Sequence, residues 1–523
     1  MRKFVFLKWL RVVISLAFFF LIFFLFIDFT YSLSAFFINR LLFFQFVPSV
    51  IKFINLIGFL ASGFVVVLIF TVLFGRIYCS FFCPLGTLQD ILAFISKRFN
   101  KRNHFKFSKP HSWLRYSILG LTLLTIPAGT IILLNLLDPF SLFGKMVSDL
   151  FRPVYYGMNN IGVYLLEKTN FYSLYPVKLK SYNWISFGFS AFMMVLIVLF
   201  AIKKGRLYCN TVCPVGTFLG LVSGFSVFKI RLDETLCNRC GTCGASCKSC
   251  CIDTRNKKVD FTRCVGCLNC LTVCPGNGVK FSFAYLKPLS INLPAGKMID
   301  KDRRQFLLNS VSLTFGAITG ISNANSQIVK SAKIPVIKKY PVTPPGSLGI
   351  DHLHKNCTAC HLCISACPTH VLEPALIQYG WDGLFQPVMN YKASFCNFEC
   401  VVCSEVCPTG AIITVTPDKK KLIQLGKTNF LKENCVVYTD ETACGACSEH
   451  CPTKAVNMVQ YKGKLKIPEI NQEICVGCGA CEYACPTTPK SIYVEGNPVH
   501  LEAKKPEEVK SDLKIKPEDD FPF

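Results

Sequence analysis

The sequence is poor in histidine and methionine, with eight of each, and poor in acids, with 32 Asp and Glu against 57 Lys and Arg. None of its long apolar stretches contains a histidine. A membrane cytochrome is thereby disfavoured, because its haem iron needs axial ligands inside the bundle. There is no methionine-rich run, which leaves little for handling copper. The shortage of acids gives a formal charge of +25, and such a chain invites a nucleic-acid reading. The location of the charge points elsewhere. Seven Lys and Arg and no acid lie from Lys97 to Arg115, whereas residues 138–182 hold five basic and three acidic residues. With Arg2, Lys3, Lys8 and Arg11, this asymmetry follows the positive-inside rule and places the N-terminus and the 97–115 loop in the cytoplasm. No nucleic-acid partner is expected.

What is abundant is apolar surface. Hydrophobic residues make up 51% of the chain, Phe alone occurs 47 times, and the mean hydropathy is +0.39. Four stretches, at 12–30, 53–74, 116–137 and 183–202, approach the roughly 20 apolar residues that a helical span needs. The expected fold is an α-helical membrane bundle of four spans, with a fifth, signal-like span further on.

The 30 cysteines are too many for chance, and the chain is too large and too apolar for a disulfide scaffold. Twenty-four fall into six groups of four. Cys237, Cys240, Cys243 and Cys247 form the first, and Cys264, Cys267, Cys270 and Cys274 the second. Cys357, Cys360, Cys363 and Cys367 follow, then Cys396, Cys400, Cys403 and Cys407. The last two are Cys435, Cys444, Cys447 and Cys451, and Cys475, Cys478, Cys481 and Cys485. C-x2-C-x2-C-x3-C-P is the bacterial ferredoxin signature: three thiolates on a tight loop wrap one corner of a cubane, and the fourth usually ligates the neighbouring cluster. About six [4Fe-4S] clusters are therefore expected, on α+β ferredoxin-like modules. Zinc, the other user of C-x2-C pairs, fits this repetition less well. Three departures stand out: Lys248 replaces the proline after Cys247, the fourth group opens with a wider gap, and eight residues separate Cys435 from Cys444. Cys250 and Cys251 fall outside the groups and read as structural or spare thiols. Cys357-Thr-Ala-Cys360-His361 also spells a c-type haem attachment motif, but Cys363 and Cys367-Pro368 complete the ferredoxin run.

The remaining four cysteines lie in an internal duplication. "GRIYCSFFCPLGT" (75–87) and "GRLYCNTVCPVGT" (205–217) agree at eight of thirteen positions. Each follows an even-numbered apolar stretch, so both emerge on the same face, cytoplasmic by the charge argument. Cys79 and Cys83, like Cys209 and Cys213, are spaced to share a helix side, and together they are a possible redox or metal site. The alternative is a helix ended by Pro84 and Pro214, with small buried thiols packing against neighbours.

A third motif is "DRRQFLL", with Arg303 and Arg304 before a weakly apolar run over 306–322. It has the form of a twin-arginine export signal, although an ordinary anchor flanked by arginines would look similar. Ser322-Asn323-Ala324 weakly resembles a cleavage site.

Taken together these motifs resemble two known kinds of protein. Residues 1–290, with two CxxxCP repeats followed by two ferredoxin motifs, are similar to the NapH-type membrane ferredoxins, which are relatives of the NosR family. Residues 300–495, with the twin-arginine motif and four ferredoxin motifs, resemble the NapG/MauM-type exported polyferredoxins. The chain looks like a fusion of the two. The expected organisation is a membrane domain at 1–230, a two-cluster ferredoxin domain at 231–285, a signal or anchor at 299–323, a linker at 324–349, a four-motif polyferredoxin domain at 350–500 and a disordered tail at 501–523. "AIITVT", after the fourth group, is expected as a short strand.

The resemblance implies a quinol-dehydrogenase-type component of a bacterial inner membrane. Electrons would pass from menaquinol through the clusters to a redox partner, a periplasmic reductase, with the polyferredoxin domain in the periplasm. No catalytic residue is legible; Asp28 and Asp138, at the ends of apolar stretches, are the nearest carboxylates for a quinol proton. Two other readings stay open: an assembly factor that reduces a metal for a metalloenzyme, and a cytosolic-facing carrier between ferredoxin and quinone.

Overall fold

The computed structural model describes residues 2–28, 32–56, 62–99, 105–127, 129–170, 172, 174–177, 183–284 and 334–505. Arg303, Arg304, the apolar run after them and the tail from 506 lie outside the described residues.

The first half is helical: α1 (Arg2–Ile27), α2 (Ala35–Leu42), α3 (Phe46–Leu56), α4 (Gly63–Phe74), α5 (Tyr78–Phe81), α6 (Pro84–Phe99), α7 (Ser112–Thr125), α8 (Ile132–Leu137), α9 (Pro139–Met146), α10 (Arg152–Glu167), α11 (Trp184–Lys204), α12 (Leu207–Thr211) and α13 (Pro214–Ser223). A π-helical turn, Val147–Phe151, joins α9 to α10.

Among the described residues, α1, over Phe4–Ile27, and α11 are long and apolar enough to cross a membrane, with a third span if α2 and α3, bent by 108°, count as one. The four expected spans are not all present as single helices, and the reasons are local. Pro48 is accepted in the first turn of α3, where a missing N–H costs nothing, but it could not continue α2. The expected second span is divided between α3 and α4, and α4 has 12 residues. The expected third ends as α7 at Thr125, because Pro127 and the left-handed Gly129 (φ +80°) interrupt it before α8 resumes. Bulky side chains on the outer surface, among them Phe20, Trp113, Leu124 and Phe192, are exposed, as a lipid-facing surface requires.

Two cysteine-rich units sit at opposite ends of α1 and α11. The first holds β1 (Phe228–Leu232), α14 (Thr242–Ser246), the β2 (Ile252–Asp253) and β3 (Lys258–Val259) hairpin, α15 (Asn269–Val273) and β4 (Val279–Phe283). β1 and β4 pair antiparallel, Phe228 opposite Phe283 and Leu232 opposite Val279. Phe4 of α1 packs on its core, and the Arg206 N–H just past α11 donates to the Lys248 carbonyl at 2.9 Å.

The second unit contains α16 (Ile350–Asn356), α17 (Leu362–Ala366), β5 (Leu372–Pro374), β6 (Pro387–Met389), α18 (Val402–Glu405), α19 (Pro417–Lys420), β7 (Ile423–Phe430), α20 (Val436–Thr439), α21 (Ala446–Glu449), β8 (Val456–Lys462), β9 (Leu465–Ile470), α22 (Ala480–Ala484) and β10 (Ile492–Glu502). Its sheets are the two-stranded pairs β5–β6, β7–β10 and β8–β9. It meets the other ends of the same helices: α1 packs on α17, and Asn183, capping α11, donates from its side chain to the Pro374 carbonyl at 3.1 Å. Two-stranded pairs alone are marginal in water, so the cysteine loops and the helical bundle must supply much of the order.

"AIITVT" is not a strand. Its backbone donors are taken by neighbours other than a strand: Ile413 N–H bonds the Gly346 carbonyl, Ile412 N–H the Cys407 sulfur and Val415 N–H the Ser404 hydroxyl. Residues 334–349, expected within a linker, are packed instead. Val342 is buried, its carbonyl accepts from Met389 N–H, and the Tyr340 carbonyl accepts from Gly496 N–H.

Candidate functional site

The thiols form quartets that cross between motifs. Cys435, Cys444 and Cys447 line one pocket together with Cys485, the last cysteine of the sixth group. Cys264, Cys267 and Cys270 line another with Cys247, the last of the first group. The same exchange recurs elsewhere. Cys274 stands beside Cys237, Cys240 and Cys243. Cys407 joins Cys357, Cys360 and Cys363, and Cys367 joins Cys396, Cys400 and Cys403. Cys451 joins Cys475, Cys478 and Cys481. The motifs therefore pair as first with second, third with fourth and fifth with sixth, and the short helices that carry them, α14 with α15, α17 with α18 and α21 with α22, pack on each other.

The donor chemistry fits a cubane. Each quartet is all sulfur, and Cys247, Cys274, Cys367 and Cys485 share an extended backbone that turns the last thiol away from its own loop. Burial pushes the Cys447 and Cys478 thiols up to about 12 and Cys243 to about 11. Such groups become thiolates only beside a compensating positive charge, which iron supplies. Among the described residues no group of His, Cys, Asp or Glu closes on a single metal ion.

The first unit departs from the others at Cys247. Its sulfur lies 3.5 Å from that of Cys251, which lines the same pocket, so a fifth thiol accompanies this quartet. Cys250 is buried apart from it, beside Ala93 and Phe105. The haem reading of Cys357–His361 finds no support in the surroundings of His361. Its Nε2 faces the Phe385 carbonyl at 3.2 Å and its Nδ1 lies 3.6 Å from Asp149, so both nitrogens face protein groups.

The two CxxxCP repeats meet. Cys79, Cys83, Cys209 and Cys213 are all at most 3% exposed and interact with one another in the bundle interior. Cys83 and Cys213 each accept the third N–H of the helix that follows, Gly86 at 3.4 Å and Gly216 at 3.3 Å, with proline in the first turn. The repeats hold each other through their arginines: Arg76 donates to the Cys209 carbonyl at 2.9 Å, and Arg206 to the Cys79 carbonyl. Gln89 Nε2 lies 3.2 Å from the Cys209 sulfur. One buried carboxylate, Asp90, gathers Arg206 at 2.8 Å, Lys248 at 3.0 Å and Arg11 at 3.4 Å, tying both repeats to the first cysteine-rich unit.

Asp138 and Asp28 serve the backbone. Asp138 caps α9 through Ser141 N–H at 2.8 Å, and Asp28 accepts from Ser32 N–H at 2.8 Å. α9 then leads to the second unit: the Gly144 backbone leaves no room for a Cβ beside the Cys360 carbonyl, and Ser148 and Ser365 share a hydrogen bond of 2.8 Å. A single buried cluster runs from Cys267 through the four CxxxCP thiols and Phe140 to Cys357, Cys396, Cys475 and Cys485. Sequence reasoning missed Arg76, Arg206, Gln89 and Asp90. The arginines carried a signal, since each stands at the same place in the duplication; Asp90 has glycine at its counterpart, Gly220, and carried none.

Comparison with known proteins agrees with this chemistry. The model of a 4Fe-4S binding domain matches twice, at 56–102 and 187–233, the two stretches that hold the CxxxCP repeats. That of a 4Fe-4S dicluster domain matches 442–488, which holds seven cysteines of the last two motifs. The ferredoxin-type protein NapH of Haemophilus influenzae is 24% identical over 232 residues, 43% of this chain and 68% of that protein. The methylamine utilization ferredoxin-type protein MauM of Methylophilus methylotrophus is 28% identical over 191 residues, 35% of this chain and 81% of that one. An uncharacterised protein of Methanocaldococcus jannaschii is 37% identical over 75 residues, 14% of this chain and 30% of its own length. No solved structure matches the chain. The protein thus carries iron–sulfur binding domains on helices suited to a membrane, and it is similar to the NapH- and MauM-type ferredoxin proteins.

Proposed function

We propose that the chain is a transmembrane iron–sulfur conduit that takes electrons from menaquinol and delivers them to a reductase on the periplasmic side of a bacterial inner membrane. The observation that carries this reading is the unbroken buried cluster from Cys267, through the CxxxCP thiols, to Cys357 and Cys485, with cysteine-rich units at both ends of the bundle. In it, the six crossed quartets hold six [4Fe-4S] clusters, which supply one-electron carriers. The protein's own residues do the rest. The quartets fix where each carrier sits, apolar side chains such as Val265, Leu362 and Val494 exclude water from them, and Arg76 and Arg206 hold the two repeats face to face beside the four CxxxCP thiols.

The first unit lies with the basic 97–115 loop, since Lys97 donates to the Ala245 carbonyl at 3.2 Å and Arg263 to the Ser108 carbonyl at 2.9 Å. The charge rule assigns that end to the cytoplasm, so the four-quartet unit at the other end faces the periplasm. In this reading Arg303 and Arg304 direct its export in the folded state.

The test is an epitope tag after Phe523, probed with protease in intact spheroplasts, with and without R303K/R304K. Cleavage in the parent and protection in the Lys pair is the expected result. Protection in both places every quartet inside and leaves a cytosolic-facing carrier.

A further inference from the structure

A cavity of about 960 Å3 opens between α3, α4, α7, α8 and α13, capped by α16 of the second cysteine-rich unit. Its walls are apolar, built from side chains such as Phe46, Val50, Leu123, Ile126 and Phe218. Its capped end is polar: His352, Lys355 and Asn356 face it, within the last turn and a half before Cys357. Pro214 and Val215, the residues directly after Cys213, also line it. The space therefore touches the chain beside both the CxxxCP thiols and the third quartet. An apolar cleft with a few convergent polar groups at one end is a common form of a site for a hydrophobic cofactor.

We infer that this cavity binds a membrane quinol, with the ring at the His352–Asn356 end and the isoprenoid tail along α3 and α7. The inference rests on the quinol-oxidising function proposed above and names its site. His352 carries the acid–base part. Its Nδ1 lies 3.0 Å from the Ser347 carbonyl, which can only accept, so Nδ1 donates there and Nε2 is the ring nitrogen left for a quinol hydroxyl. Oxidation breaks two O–H bonds and releases two electrons and two protons. One proton passes to His352 and thence to water, and the other to water directly. Cys357, Cys360, Cys363 and Cys407, beside this end of the cavity, would hold the iron–sulfur group that supplies a one-electron acceptor. Asn135 strengthens the seam between bundle and quartet: with its amide turned so that nitrogen faces the carbonyls, it donates to Cys357 O at 3.0 Å.

The test is binding of a fluorescent hydroxyquinoline N-oxide, a quinol-ring analogue, to the full chain, read by quenching and independent of turnover. Three forms are compared: the parent, the cavity-filling variant L123W/I126W and H352Q, each checked for unchanged iron content. The filled variant is expected to lose at least about ten-fold in affinity. H352Q is expected to lose about three-fold or more. Parent-like affinity in the filled variant overturns the site, as does a parent that binds no analogue and instead retains a phospholipid by native mass spectrometry. Bleaching of the clusters by menaquinol separates this from the broader reading. If menaquinol reduces parent and filled variant equally, the cavity is wrong and quinol oxidation stands. If the analogue binds in the cavity but menaquinol bleaches nothing, the cavity stands and quinol oxidation falls.

Discussion

The two cysteine-rich units share one crossed arrangement of thiols and seat themselves on the bundle in different ways. At the first unit, the seat is electrostatic. Asp90 of α6 is buried among Arg206, Lys248 and Arg11, and Arg76 reaches across to the Thr262 carbonyl at 3.1 Å. At the second, charge is spread out and shares the seat with packed rings: Arg152 donates to the Ser365 carbonyl and Asp149 lies 3.6 Å from His361, beside Phe189 against Phe385 and the Ser148–Ser365 hydrogen bond. A charged hub tolerates no missing partner, whereas a packed seam loses a little with each contact removed.

The thiol quartets differ as well, Cys247 having the Cys251 sulfur beside it, and the largest expected effect exploits this. C485S should remove about four irons per chain, and they should come from the Cys435 set, because the last thiol serves its partner motif. C247S should keep most of its iron, since Cys251 lies 3.5 Å away on the same pocket, and C247S/C251S should lose as much as C485S. Iron analysis with EPR spin counting of each variant checks both statements. Equal loss in C247S and the double variant would make Cys251 a bystander and erase the contrast between the units.

The seats come next. D90N should destabilise the first unit by about 3–5 kcal/mol, because it leaves Arg206 buried without its counter-charge. S148A should cost about 1 kcal/mol at the second. Thermal unfolding in detergent, followed by cluster absorbance, ranks the two. Between them falls G216A, whose Cβ would lie 2.2 Å from the Cys209 carbonyl; it should cost about 1–3 kcal/mol and loosen the joint between the repeats.

The last effect is read only on acidification and belongs to the second unit alone. Burial lowers His500 from 6.5 to about 4, while its Nε2 lies 2.7 Å from the Thr343 hydroxyl. Between those values the unfolded chain holds a proton that the folded chain refuses, so stability falls as pH drops from 6.5 towards 4. The slope from this group cannot exceed one proton. H500Q should remove it, and denaturant unfolding at several pH values would show whether it does. A slope unchanged in H500Q would assign the acid sensitivity elsewhere in the unit.

The cysteine motifs and the apolar runs were legible because both are local codes. A C-x2-C-x2-C loop is set by a few residues, and hydropathy marks α1 and α11 without any partner. The same local view failed where neighbours decide. "AIITVT" has strand composition, yet Gly346, Ser404 and Cys407 take its backbone donors. The proline-rich residues 334–349 read as a linker until Met389 and Gly496 are seen to bond them. Asp138 and Asp28, the carboxylates nearest the membrane in sequence, turn out to hold helix and turn backbone, and the polar end of the cavity comes from α16, far downstream in sequence of every helix in its walls.

By itself, then, the sequence determined the chemistry: sulfur ligands in ferredoxin spacing, a duplicated CxxxCP element and apolar runs for a membrane, since each is written in consecutive residues. Only the tertiary structure decided which cysteine completes which quartet, that Cys79 and Cys83 meet Cys209 and Cys213, and that α16 caps a cavity between them and Cys357. Those are contacts between distant parts of the chain, chosen by the burial of apolar faces and the pairing of buried charge, and no local spacing encodes them.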